Sequence, residues 1–121
     1  MHIVQALVAL NVGGSELVAT ELAEHLVPKG HRVTVIAKDG PIGDRVCASG
    51  ADHLDWPIGR KRPGTLRYIW KLRDWFTEAQ PDIVHVHSRW PAWICWQALS
   101  RVPEDQRPLF LTTMHLSLIH I

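Results

Sequence analysis

Five short apolar runs, separated by stretches whose apolar residues recur at helical spacing, leave few folds open to this chain. The first run, Ile3-Val4-Gln5-Ala6-Leu7-Val8-Ala9, has the nearly unbroken hydrophobicity of a buried strand. Leu17, Ala19, Leu22, Ala23, Leu26 and Val27 then fall on one side of a helix that starts near Glu16 and that Pro28 and Gly30 close. Residues 32–37 read as a second strand, 43–49 as a short helix ended by Gly50, and 53–56 as a brief third strand. Leu66, Ile69, Trp70, Leu72, Trp75 and Phe76 make a wide apolar stripe on a helix over 64–79, stopped ahead of Pro81. A fourth strand over 82–87, a helix over 91–101 with Pro91 in its first turn, and a fifth strand over 109–113 complete the pattern. Strands alternating with helices build a parallel sheet joined by right-handed crossovers, so the expected class is α/β, a Rossmann-like parallel sheet flanked by helices.

Length and charge narrow the function classes. A chain of 121 residues buries one core and has no room for two full domains. The net charge of +1 offers no global electrostatic case for nucleic acid, and none is expected as a partner. Cys47 and Cys95 lack both metal-ligand spacing and disulfide-scaffold density, which points to reduced thiols in a cytoplasmic protein. Strand residues follow Met1 directly, so no signal peptide is read, and no apolar run approaches the roughly 20 residues of a membrane span.

In an open parallel sheet, ligands gather outside the carboxyl ends of the strands. Val12-Gly13-Gly14-Ser15-Glu16 follows the first strand, Lys38-Asp39-Gly40 the second, residues 59–62 the third, His87-Ser88-Arg89 the fourth and His115 the fifth, so all are candidates for one crevice. Gly13 and Gly14 lack a Cβ, so the backbone there can approach a phosphate closely at a helix start, or simply make a tight turn. The spacing is not the Gly-x-Gly-x-x-Gly of a nicotinamide site, and no Gly-Lys-Ser/Thr phosphate loop occurs.

Three segments together resemble the N-terminal domain of a family 4 glycosyltransferase with GT-B architecture. They are Gly13-Gly14-Ser15-Glu16 after the first strand, Pro81-Asp82-Ile83-Val84-His85-Val86-His87-Ser88 in the fourth, and Thr112-Thr113-Met114-His115 at the end of the fifth. The resemblance covers residues 1–115 and implies the N-terminal, acceptor-side half of a two-domain enzyme, with a C-terminal donor-binding domain missing. It implies transfer of a hexose-type sugar, with retention, from a nucleotide sugar to a saccharide or lipid-linked acceptor. A cell-envelope polysaccharide or lipopolysaccharide pathway fits that class. The donor is a substrate; no cofactor and no metal are expected. Residues 116–121 depart from the family pattern and read as truncation or translated sequencing adapter.

The resemblance also distributes roles. Gly13, Gly14 and Ser15 would meet the donor, with Ser15 alternatively capping the helix, and His115 would contact the donor sugar near the reacting carbon, unless it is a structural strand-end histidine. Glu16, His87, Ser88, Arg89 and Trp90 would face the acceptor, Glu16 having the alternative of stabilising the helix N-terminus. His85 and His87 share a strand face, with His85 expected inside the sheet layer and His87 at the strand's end. Arg60, Lys61 and Arg62 are a solvated run or a contact for an anionic membrane or phosphorylated acceptor, which would make the protein peripheral at the inner face of the cytoplasmic membrane. Trp70, Trp75, Trp93 and Trp96 are expected in the core; Trp90 is the one expected to stack on a sugar. The alternative of another class is a non-catalytic sugar- or partner-binding module.

Overall fold

The computed structural model describes residues 1–9, 14–40, 43–59 and 63–112. Five parallel strands, β1 (His2–Ala9), β2 (Arg32–Lys38), β3 (Asp52–Leu54), β4 (Ile83–Val86) and β5 (Leu109–Thr112), form one sheet in the order β3-β2-β1-β4-β5. The helices are α1 (Gly14–Leu26), α2 (Gly43–Ala48), α3 (Arg67–Ala79) and α4 (Arg89–Leu99). This is the Rossmann-like arrangement that the alternating pattern predicts. Its register is set by burial: in the central strand, Ile3 lies between Val33 of β2 and Ile83 of β4, and Gln5 between Val35 and His85.

Side-chain alternation divides the core into two layers. Val4, Ala6, Ile36, Val84 and Val86 face α3 and α4, whose Ile69, Leu72, Phe76, Ile94, Cys95 and Ala98 fill that side. Leu7, Val33, Val35 and Ala37 face α1 and α2, where Ala19, Ala23 and Val46 complete a smaller cluster. Small alanines on α1 let it lie close to the sheet, whereas the aromatic and branched residues of α3 fill a deeper layer. Helices α1 and α2 cover β1 to β3 on their side. On the same side of β5, Leu109 and Leu111 stand open, 60% and 44% exposed.

Local chemistry sets the element ends. Helix α1 passes into a 3-10 turn, Val27–Lys29, and stops at Gly30 with φ 91°. Helix α3 is preceded by a 3-10 turn, Pro63–Leu66, and ends at Gln80, which takes a left-handed backbone (φ 46°) ahead of Pro81. Gly50 ends α2 with φ 92°, and a Cβ there would lie 2.9 Å from Val27 Cγ1. Gly50→Ala is therefore expected to cost about 1–2 kcal/mol by urea denaturation, combining left-handed strain with a contact that Val27 must yield.

The buried polar pair His2 and Thr34 satisfies itself across β1 and β2. His2 Nε2 shares a hydrogen bond with Thr34 Oγ1 at 2.8 Å, and the His2 backbone N–H donates to Asp82 Oδ2 at 2.7 Å. Burial, helped by the Arg32 charge, holds the His2 imidazole below the ordinary histidine value of 6.5, against the opposing pull of Asp52 and Asp82. A depressed histidine favours the folded state while neutral, so stability is expected to be full above pH 6.5 and to fall as acid protonates the unfolded chain preferentially. Melting temperatures measured from about pH 7.5 down to about 5.5 would show the loss, and His2→Gln should flatten that slope. Cys95 is fully buried, which pushes its thiol up to about 12 and makes it inert, while Cys47 is exposed.

The observed elements depart from the sequence reading at several ends. The third strand lies at Asp52–Leu54 rather than 53–56, because it pairs with Thr34, Val35 and Ile36 of β2 and the chain leaves the sheet at Asp55. Two of the expected core tryptophans on α4, Trp93 and Trp96, are 42% and 55% exposed, and Trp70 on α3 is 48% exposed. The layer that the pattern assigns to them is closed instead by Tyr68, Ile69, Leu72, Phe76, Ile94 and Leu99. Trp75 does pack against that cluster, edge-on to Phe76.

Candidate functional site

All strands run parallel, so their carboxyl ends share one edge of the sheet. Beside that edge, β1 connects to β2 through α1, while its other neighbour β4 connects to β5 through α4 on the opposite face. The helices that follow β1 and β4 thus lie on opposite faces, which makes the β1/β4 junction a topological switch point, the place where open α/β sheets form a ligand crevice. Two helices start at it. Helix α1 begins at Gly14 and α4 at Arg89, each with first-turn N–H groups that have no partner within the helix and a positive dipole end.

Gly14, Ser15 and Glu16 occupy the first turn of α1, so the helix starts two residues earlier than its apolar pattern suggests and Ser15 lies past the cap position. The polar first turn carries no periodic apolar residue, which hides the start from a pattern reading. Gly13 and His115, and the basic run Arg60, Lys61 and Arg62, lie outside the described residues.

At the end of β4 the order of burial is the reverse of that expected. His87 is 3% exposed, and its Nε2 shares a hydrogen bond with the Gln5 side chain, itself 2% exposed; His85 is only half-buried. Their rings lie 4.2 Å apart, on the shared face that strand alternation requires. The His87 N–H extends the ladder to the Ala6 carbonyl at 3.1 Å, which draws the ring under the sheet edge. His87 therefore braces β4 against β1 instead of presenting itself at the rim. Gln5 is the functional neighbour that the sequence reading omits; the signal for it is the one polar side chain inside the first apolar run.

Ser88 and Arg89 form the rim. Ser88 holds the N-cap position of α4 with extended backbone (φ −146°, ψ 158°), makes no side-chain capping bond, and its carbonyl accepts the Ala92 N–H at 3.0 Å. Arg89 is exposed at the first helical position. Helix α4 thus begins two residues before Pro91, which falls in the first turn, where its missing N–H costs nothing. Trp90 is half-buried, packs against the core and stacks on Trp93 with ring centroids 5.1 Å apart and planes 15° apart. One face of the indole expected to stack on a sugar is occupied by a neighbouring tryptophan.

The adjoining loops are tied together. The Asp39 N–H donates to Asp55 Oδ1 at 2.8 Å, linking the ends of β2 and β3, and Asp39 Oδ1 accepts from the Gly40 N–H at 2.9 Å. Gly43 starts α2 against that carboxylate, where a Cβ would overlap it. After β3, Lys71 Nζ lies 5.8 Å from the Trp56 ring and 5.3 Å from the Tyr68 ring, and Arg67 lies 5.5 Å from Tyr68. These cations sit on aromatic faces beside the segment that follows β3. Among the described residues, no group of three His, Cys, Asp or Glu side chains could hold a metal ion, and no helix is long and apolar enough to cross a membrane.

Fold and crevice together define the N-terminal Rossmann-like half of a GT-B glycosyltransferase. The sequence pattern of Glycosyltransferase Family 4 matches residues 12–120, and the chain belongs to that family. A glycosyltransferase structure from Rickettsia africae ESF-5 is similar over 94% of this chain and 30% of its own length, at 27% identity with a TM-score of 0.74. The structure of CalG4, the calicheamicin glycosyltransferase, shares the fold at 20% identity, with a TM-score of 0.55 over 98% of this chain and 35% of its own. The chain thus spans about a third of the length of these solved relatives. No curated protein matches it.

Proposed function

We propose that this chain is the acceptor-side domain of a retaining hexosyltransferase. The whole protein moves a hexose-type sugar from a nucleotide sugar to a saccharide or lipid-linked acceptor in the synthesis of cell-envelope polysaccharide or lipopolysaccharide. The observation that carries this reading is the convergence of two helix N-termini, α1 and α4, at the β1/β4 switch point of a family 4 chain. A second, donor-binding domain beyond this chain completes the cleft, so residues 1–115 by themselves are inactive.

The roles follow from chemistry. N–H groups of Gly13, Gly14 and Ser15 meet the donor where the leaving diphosphate gains charge, a preorganised stabilisation that costs no reorganisation during reaction. His115 contacts the donor sugar, its neutral imidazole able to donate to or accept from a hydroxyl. Glu16, Ser88 and Arg89 orient the acceptor, and His87 acts through Ser88 and Arg89 by holding the end of β4 in place. The enzyme works in the cytoplasm, peripheral at the inner face of the membrane.

The test is turnover by the full-length gene product. Release of nucleoside diphosphate from uridine- or guanosine-diphosphate hexoses, dependent on a saccharide or lipid-linked acceptor and lost in His115→Ala, is the expected result. Saturable sugar binding without turnover of any nucleotide sugar would replace it with the binding-module reading.

A further inference from the structure

The geometry points to a second ligand site, a cavity at the amino edge of the sheet that takes a zwitterionic α-amino acid with an apolar side chain. It lies at the opposite end of the strands from the β1/β4 switch point, and it stands whether or not the protein transfers sugar.

Helix α3 runs back along the sheet to the amino edge, where Ala79 leads through Gln80, Pro81 and Asp82 into β4. Its last turn meets the start of β2 there, and Arg32, Trp75, Glu78 and Ala79 line a cavity of about 280 Å³. At about 30 Å³ for each water of liquid, that is room for roughly nine heavy atoms, the size of a leucine. Strand alternation puts Arg32 on this side: it lies two residues before Thr34, which bonds His2 on the face covered by α3. Trp75 and Glu78 are three residues apart on α3 and so share a side of the helix.

The lining groups have unspent chemistry. Arg32 gives its Nε–H to Asp52 at 3.0 Å, and among the described residues its two Nη groups have no acceptor. Glu78 makes no hydrogen bond or ion pair among the described residues, Arg32 included. Trp75 is half-buried, and His2 and Phe76 meet it at steep interplanar angles of 77° and 64°, so part of the indole forms the apolar wall of the cavity beside the Ala79 methyl.

A cation, an anion and an apolar wall that face one cavity without pairing match a molecule with a carboxylate, an ammonium and a hydrocarbon group. The carboxylate takes the Arg32 Nη groups as a planar fork, the ammonium takes Glu78, and the side chain lies against Trp75. The last carbonyls of α3 have no partner within the helix and add negative potential for the ammonium. A purely anionic ligand would meet Glu78 and that helix end, and a purely cationic one would meet Arg32, so a ligand with both charges is preferred to either.

Titration of the 121-residue chain with L-leucine, followed in proton–nitrogen NMR spectra, tests the proposal. Saturable shifts of the Trp75 indole, Arg32 and Ala79 signals are expected, with half-saturation near about 1 mM. 3-Methylbutylamine lacks the carboxylate and 4-methylpentanoate lacks the ammonium; each should bind about fivefold more weakly, the worth of one exposed ion pair. Glu78→Gln should weaken leucine about fivefold without weakening 4-methylpentanoate, and Arg32→Gln should do the same without weakening 3-methylbutylamine. Both positions are exposed, so spectral dispersion equal to that of the parent will show that the fold is intact. No saturable shift up to about 20 mM, or shifts that map away from the cavity, overturns the proposal. So does equal binding of leucine and its two single-charge analogues, or a leucine affinity that neither substitution changes.

Discussion

Phe76→Ala is expected to lower the unfolding free energy by about 3–5 kcal/mol, the range for emptying a fully buried aromatic site. Phe76 is 0% exposed and belongs to the cluster that joins α3 to β1, β4 and α4. Leu72 lies one turn before it and Trp75 meets it edge-on at 5.5 Å, so the ring is held from the helix and from the sheet. Both sides are rigid, and the cavity would collapse only in part. A small domain has about 5–15 kcal/mol of stability in total, so the variant should unfold at a much lower urea concentration or fail to accumulate. Trp70→Ala provides the contrast. It removes an even larger side chain from the same helix, yet from the outer face, and is expected to change stability by no more than about 1 kcal/mol. Equal effects at the two positions would mean that α3 is rotated from its observed setting.

The second large effect is expected at His87. Removing its imidazole in His87→Ala leaves the Gln5 amide buried without that partner, which costs about 1–3 kcal/mol before any loss of packing is added. Gln5→Leu should cost a similar amount by taking the amide away from the ring. The double variant Gln5→Leu, His87→Ala removes both polar partners and should be more stable than the sum of the single losses predicts. Chemical denaturation of the four proteins measures that coupling. Simple additivity would show that the hydrogen bond contributes nothing, leaving His87 as a space-filler. Because His87 immediately precedes the Ser88 cap and the exposed Arg89, the single variant also tests whether bracing at β4 keeps the rim in position.

Helices α3 and α4 show most plainly where sequence and structure part. Helical periodicity reveals that both exist, and it places Ile69, Leu72 and Phe76 on the buried stripe of α3, where they are found. It does not reveal the exposure of Trp70, Trp93 and Trp96. An apolar stripe wider than the available groove must leave some members outside, and which ones depends on how two helices share one sheet face. The Gln5 and His87 pair is equally out of reach, since its members are 82 residues apart and meet only once β1 and β4 align. Of the candidate residues, the turn after β1 and the polar cluster after β4 are visible because glycine and hydroxyl or charged residues interrupt apolar runs; the burial of His87 within that cluster is not.

Local pattern was therefore enough for the order of elements, their parallel pairing and the family, since periodicity, glycine turns and short motifs are properties of neighbouring residues. Packing alone assigned His87 to the interior, left three tryptophans in solvent and set the helix starts at Gly14 and Arg89. Those outcomes depend on which surfaces compete for the same space and on hydrogen bonds between distant strands, and no stretch of chain contains that information by itself.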